Sequence, residues 1–518
     1  MKRLALAIAL TVSFVAHAAY EHVATIALAD QDSIVKTASK TGELSGYPML
    51  GAMTAMALSA NPVTGHFGEL NEGVNAAIVI FVDTAKTNLN SIDEFECDIA
   101  ILCSPKFDKS AFAASKGGAC EEIDGVLRVK QDDDDEYAYT AYSEDGKWAS
   151  LSDKREIAQE ALKYLASVRQ ALDGDVLRLE IPESGIEVLR RIVEASAKTC
   201  ERPLDKARKE NISLQLRDVQ SFTFGVRVSD AGIDLRGTLN PVESSVLTKC
   251  GSTPIDGAPL GFAPEDAYIA TDCAENAGGI SLDADAQAKR IFELCDKYGV
   301  KHDFIKREGE GNMLKWTFDF TKFAEYANGE GKAALDKLDI EKVAEDLNDI
   351  RGSWTNITEK TPATKTSFSL VGKKPSISPA VRFARIMPQA AQVKPYFASS
   401  YAFYALLKTL LPDIVAATPD EDGKAEWKTI LATLPDNDAG AVCGLLWRDG
   451  AAHNCFVRIS ADEVRSLSAL GTSIFTCIVM KSLSSSQIFE CGCDDDDDGD
   501  ADDAGDDHAD DDDAKDED

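Results

Sequence analysis

Cysteine, histidine and carboxylate are the side chains through which this sequence could do chemistry. There are 12 cysteines and 6 histidines among 518 residues, and acids outnumber bases 88 to 54. The histidines do not assemble into a motif. None forms HExxH, and none of His22, His66, His302, His453 and His508 stands one helical turn from another, so a helix-borne zinc site is unsupported. There is no GxSxG elbow, no GxxxxGK[ST] phosphate loop and no GxGxxG fingerprint after a strand. With 88 acids some carboxylate pair will always be close, so glycoside-type hydrolysis is neither indicated nor excluded. His453, next but one to Cys455, has the makings of a reactive-thiol pair, but in a short hairpin it reads as structure.

Cys443 and Cys455 are the disulfide candidates. Residues 441–459 read as a hairpin around Arg448-Asp449-Gly450, with Gly450 in the left-handed position of a three-residue turn. That register sets Trp447 opposite Ala451 and Cys443 opposite Cys455, within bridging reach. Cys97 and Cys103 share a strand face but lie too far apart to pair, and Cys491 and Cys493 need partners elsewhere, Cys477 among them.

The address comes from the first residues. Lys2 and Arg3 precede an apolar run, Leu4 to Val15, and Ala16-His17-Ala18 supplies small residues at the −3 and −1 positions of a cleavage site. The expected mature chain starts at Ala19 and is periplasmic or extracellular, where an even cysteine count permits pairing.

The other end is a run of charge. From Asp494 to Asp518 there are 17 acids and one base, a charge of −16. Subtracting that and the +2 of the leader from the total of −34 leaves −20 for the body. Such a tail cannot offset chain entropy by burial and is expected to be disordered. Asp494, Asp496, Asp498 and Gly499 resemble the opening of an EF-hand loop, but position twelve is Gly505 rather than a bidentate Glu. The expectation is diffuse, loosely held Ca2+ at most, and no other cofactor. Asp132 to Glu136 is a shorter acidic run. The overall charge argues against nucleic acid and anionic membrane surfaces as partners; divalent cations or a basic protein fit better.

The elements that would carry these residues suggest an α+β fold made of antiparallel hairpin-plus-helix units. His22 to Ala29, Ala76 to Val82, Phe95 to Cys103 and Ala267 to Cys273 read as strands. Three hairpins, at 137–151, 222–239 and 442–459, each lead into a helix with a cap residue and an acid three places on: Asp153 with Glu156, Asn240 with Glu243, Ser460 with Glu463. Met49, Met53 and Met56 suggest a buried amphipathic helix, and Phe397, Tyr401 and Tyr404 a core stripe at helical spacing. Strand openings recur at an offset of about 245 and hairpins at about 220, which suggests duplicated tandem domains over 19–258 and 259–490, joined at 254–264. The function expected is that of an exported, non-enzymatic binding or structural protein. The alternative is an exported hydrolase whose paired carboxylates meet only in the fold.

Overall fold

A computed structural model describes residues 20–60, 62–83, 97–131, 137–169, 172, 174–199, 203–277, 284–309, 311–339, 342–343, 346, 362–418 and 421–485. The chain divides into two compact units, Met1–Ser473 and Ile474–Asp518.

Among the described residues seventeen strands form one mixed sheet. They are β1 (Tyr20–Leu28), β2 (Ala76–Asp83), β3 (Asp98–Cys103), β4 (Cys120–Ile123), β5 (Val126–Lys130), β6 (Tyr137–Tyr142), β7 (Ala149–Ser152), β8 (Leu177–Ile181), β9 (Val219–Ser229) and β10 (Gly232–Pro241). The remainder are β11 (Ala267–Cys273), β12 (Ile305–Glu308), β13 (Met313–Phe318), β14 (Thr364–Leu370), β15 (Phe397–Tyr401), β16 (Val442–Asp449) and β17 (Ala452–Ser460). The ladders run β4-β5-β6-β7-β3-β2-β1-β8-β9-β10, then β17-β16-β15-β11-β14-β13-β12. All are antiparallel except β13–β14. The strands of 19–258 and those of 259–490 each keep to one side of the β10–β17 ladder, which joins the two arms.

The inner strands of the two arms share registers, whereas the outer strands differ, β2–β3 being antiparallel and β13–β14 parallel. Leu177 pairs with Val226 in one arm and Phe397 with Leu446 in the other, both members displaced by the same offset of 220 (177 to 397, 226 to 446). Thr25 pairs with Glu180, and Ala270 with Ser400, offsets of 245 and 220. The ladder to β2 slips between His22 and Ala24, and the ladder to β14 slips between Ala267 and Ile269, again at the 245 offset (22 to 267, 24 to 269). A bulge is a specific local feature, so its recurrence at one matched position is a stronger correspondence than strand order alone. At the junction Arg236 pairs with Phe456, which is its own counterpart at the 220 offset. Residues equivalent by that offset therefore face each other at the centre of this ladder.

Helices cover both faces. The helices used below are α1 (Gln31–Ser45), α2 (Leu50–Ser59), α3 (Arg155–Ala161), α4 (Leu165–Arg169), α5 (Glu183–Lys198), α6 (Pro203–Leu216), α7 (Pro379–Ile386), α8 (Phe403–Ala417), α9 (Glu421–Thr433) and α10 (Ala461–Ser485). Alternation along β2 puts Ala77, Val79 and Phe81 on one face, where Ile157 and Ala161 of α3 and Leu165 and Val168 of α4 bury them. In the other arm Phe383 and Ile386 of α7 close over Ala270, Ala398 and Leu445, three neighbours on one sheet face. The pairs α5–α6 and α8–α9 follow β8 and β15. Glu183 opens α5 and Phe403 opens α8, once more at the 220 offset. Gly185 of α5 is needed for close approach, because a Cβ there would stand 1.9 Å from the carbonyl oxygen of Val23 at the bulge.

Several expectations are overturned. Met49, Met53 and Met56 are exposed, at 67%, 62% and 72%; the buried residue of α2 is Gly51, which packs on Ser39 of α1. Their spacing places them on one face without saying that this face is inward. Residues 397–401 form a strand, so Phe397, Tyr401 and Tyr404 are not a helical stripe. No helix starts at Asn240: β10 continues to Pro241, held by β9, and only a short 3-10 turn follows at Val246–Thr248. Asp153 does not cap α3, which has Lys154 at its N-cap with no side-chain hydrogen bond. Ser460 does cap, accepting the Glu463 N–H at 3.3 Å, while the Glu463 carboxylate takes the Tyr404 N–H at 3.0 Å instead of reaching back.

Candidate functional site

The junction carries the densest chemistry among the described residues. Its hairpin β16–β17 closes on Asp449 opposite Ala452, leaving the two-residue turn Gly450-Ala451. Gly450 has φ +60° at the first central position, as a II′ turn requires and as the twist of the flanking strands favours. A two-residue turn moves the register by three from that of the expected three-residue turn. Cys443 therefore faces Arg458, and Cys455 faces Leu446. An odd shift turns one strand over relative to the other, so the two cysteines lie on opposite faces and both are free thiols. The Cys443–Cys455 disulfide is thereby excluded. Cys443 is fully buried, its Sγ–H 3.7 Å from Ser400 Oγ.

Alternation divides the junction into two faces. One shows Asp234, Arg236 and Thr238 of β10 with Asn454, Phe456 and Arg458 of β17. Arg458 donates to both oxygens of Asp234, at 2.6 and 2.7 Å, across the ladder, and Asp234 is 2% exposed. The pair matched to it by the 220 offset is Thr238 and Asn454, whose side chains share a 2.8 Å hydrogen bond. The charged pair and the neutral pair lock the same ladder from either side of its centre.

The opposite face holds a cavity of about 310 Å³. Phe222, Leu239 and Leu247 from one arm and Leu446 from the other make it mostly apolar, with Gly237, Cys455, His453 and Tyr396 at its heart. Its size and lining suit a small ligand. Gly237 is where the chain makes room: a Cβ there would lie 2.6 Å from Cys455 Sγ. His453 Nε2 is 2.8 Å from the Leu247 carbonyl, which can only accept, so Nε2 carries the proton. Nδ1 then accepts from the Tyr396 hydroxyl at 3.0 Å. Burial lowers the pKa of His453 and raises those of Tyr396 and Cys455, so each is held neutral. A protonated thiol beside an imidazole whose two nitrogens are already engaged is not an activated nucleophile.

This arrangement occurs at one of the two matched places. The counterparts of Gly237, Leu239, His453, Cys455, Leu446 and Phe222 are Val457, Ile459, Ile233, Leu235, Val226 and Val442. All six are branched aliphatics, so the polar trio and the glycine belong to one site only.

Two further cavities are polar. One of about 660 Å³ is lined by Glu183, Glu187, Arg190, Arg191 and Arg217. Its arginines are paired: Arg190 reaches Glu194 at 2.6 Å, Arg191 reaches Glu187 at 2.9 Å, and Arg217 reaches Glu194 at 3.0 Å. The Arg190 contact holds Glu187 below the usual carboxylate range, and Ser213 with the two arginines holds Glu194 at about 2. The other, about 540 Å³, lies where Asp30 caps α1 through the Ser33 N–H, at 3.1 Å. Burial pushes two carboxylates upward, Asp272 and Glu463, but neither lines any of these three cavities.

Among the described residues no group of three or more His, Cys, Asp or Glu could hold a metal ion, and no helix is long and apolar enough to cross a membrane. Asp494, Asp496 and Asp498, Cys491 and Cys493, and Asp132 to Glu136 lie outside the described residues. No protein-family model, curated protein or solved structure matches the chain.

The buried histidines predict an acid-sensitive window. His66 hydrogen-bonds Thr140 at 2.9 Å, packs against Phe67 and Phe112, and is held at about 4 by burial. The unfolded chain binds this proton near pH 6.5 and the folded chain only near 4. Stability is therefore full above 6.5 and falls as pH drops toward 4, by about 3 kcal/mol for this residue. Melting temperature followed from pH 7 to 4 should fall less in His66→Asn than in the parent; equal slopes would remove His66 as the cause.

Proposed function

We propose that this is an exported, non-enzymatic binding protein whose body is two copies of one α+β unit. The ligand is a small, uncharged, largely apolar molecule held in the junction cavity. The observation carrying this reading is a cavity lined from both arms whose polar groups are neutral and already hydrogen-bonded to one another. Such a lining favours a molecule that brings apolar surface and makes few new polar demands. The shared 220 and 245 offsets and the repeated bulge support the duplication. The leader sequence supports export, and the charge of the tail suits it to gather divalent cations or a basic protein partner. A hydrolase would need a raised, accessible carboxylate beside a second one. The described cavities favour binding over that alternative, because the carboxylates with raised pKa lie elsewhere.

Titration with a neutral fluorescent probe such as N-phenylnaphthylamine tests the reading. The expected result is saturable binding of one probe per chain, with an affinity that barely changes between low and high salt. Unsaturable binding, or an affinity that collapses with salt, would show that the cavity is not the site of an uncharged ligand.

A further inference from the structure

On the other face of the junction, guanidinium groups from three neighbouring strands stand side by side: Arg227 of β9, Arg236 of β10 and Arg458 of β17. The ladders align them, since Arg227 and Arg458 both pair with Asp234 while Arg236 sits one step along the same face, opposite Gly225 and Phe456. Two carboxylates among the described residues answer them. Asp234 is taken by Arg458, which also donates to the Ile386 carbonyl at 3.2 Å. Asp175 is shared by the other two, at 3.4 Å from Arg227 Nε and 3.9 Å from Arg236 Nη1. Arg178 of β8, opposite Gly225, approaches the same Asp175 at 3.9 Å and has further partners of its own. Setting Arg178 aside, three cations face two anions, a local surplus of positive charge in a chain whose total is −34.

The arrangement is built into the fold. Asp175, 6% exposed, settles over Gly225, where a Cβ would stand 2.5 Å from its Oδ2. Its Oδ1 and the Nε atoms of Arg227 and Arg236 are buried without a hydrogen-bond partner. A Cβ at Gly174 would stand 3.2 Å from the Arg227 guanidinium, and Arg236 lies 5.7 Å from the ring centroid of Phe456. Arg236 is the open member, 37% exposed, with no described carboxylate closer than 3.9 Å. Guanidinium forks gathered round one buried carboxylate, and short of anionic partners, match an oxyanion that can accept from two of them at once.

We propose that Arg227 and Arg236 form a binding site for a small oxyanion, with Asp175 as the internal group it competes against. This site is separate from the junction cavity and does not depend on it.

Inorganic phosphate is the probe, titrated calorimetrically into the full chain at ionic strength held constant with sodium chloride, with malonate in a parallel arm. Saturable phosphate binding is expected. Stronger binding of malonate would assign the site to dicarboxylates, and stronger binding of phosphate to phosphoryl groups. Arg236→Gln should weaken binding about tenfold, the loss of one charge-assisted hydrogen bond, while leaving the melting temperature without anion unchanged. Asp175→Asn should tighten binding by removing the competitor, whereas a purely structural cluster would lose stability and gain no affinity. Absence of binding by either anion, or Arg236→Gln binding as the parent does, would overturn the proposal. The second of these decides even if Asp175→Asn does not fold.

Discussion

Replacing Arg458 with methionine should lower the unfolding free energy by about 3–5 kcal/mol, the usual consequence of leaving a buried charge without its partner. Asp234 is 2% exposed, and its two oxygens are both taken by Arg458 across the ladder that joins the arms. Remove the guanidinium and the nearest remaining described cation is Arg236, 3.9 Å away. Methionine preserves much of the packing along Phe456 and isolates the electrostatic effect. Adding Asp234→Asn should restore a large part of the loss, because the stranded charge goes with it. Denaturant unfolding of the parent, the single and the double variant measures this. A single-variant loss below about 1 kcal/mol, the value of a surface pair, would show that the pair does not hold the junction.

Gly237→Val should reduce affinity for a neutral apolar probe about a hundredfold, roughly 2.7 kcal/mol. The Cβ would meet Cys455 Sγ at 2.6 Å, and the two methyl groups would add bulk to a residue that lines the cavity. Overpacking should also cost about 1–3 kcal/mol of stability. Cys455→Ala in the same chain should recover most of the stability, because it removes the atom that clashes. Valine already stands at the matched position, Val457, so the backbone of this ladder accepts it.

Much of the architecture is legible in local pattern, because strands and hairpins announce themselves through alternation and turn residues. Ala267–Cys273 and Tyr137–Tyr142 have the bounds read from sequence, and the 245 and 220 offsets reappear in the ladders. What stays hidden in the sequence is set over long range or by fine geometry. The pairing of β10 with β17 joins positions far apart in the chain, Gly232 with Ser460 for one, and nothing local marks it. The same ladder system extends β10 to Pro241 through a segment whose Asn240 and Glu243 fit a capping box equally well. In the β16–β17 hairpin, Gly450 signals a turn but does not choose between two and three residues, and that choice moves Cys455 to the face away from Cys443. His453 and Cys455 stand out as a pair at i, i+2, but Gly237 and Tyr396, which complete the cavity, become visible only once the arms are joined.

Site-resolved thiol modification tests the central claim most directly. Cys455 is half-buried in the junction cavity, whereas Cys97 is exposed just ahead of β3. The full chain is treated with iodoacetamide with and without saturating N-phenylnaphthylamine, and each cysteine is followed by mass spectrometry. Occupancy of the cavity predicts that the probe slows alkylation of Cys455 and leaves Cys97 unchanged. Equal alkylation of Cys455 in both samples, with the probe demonstrably bound, would place the ligand elsewhere and contradict the account.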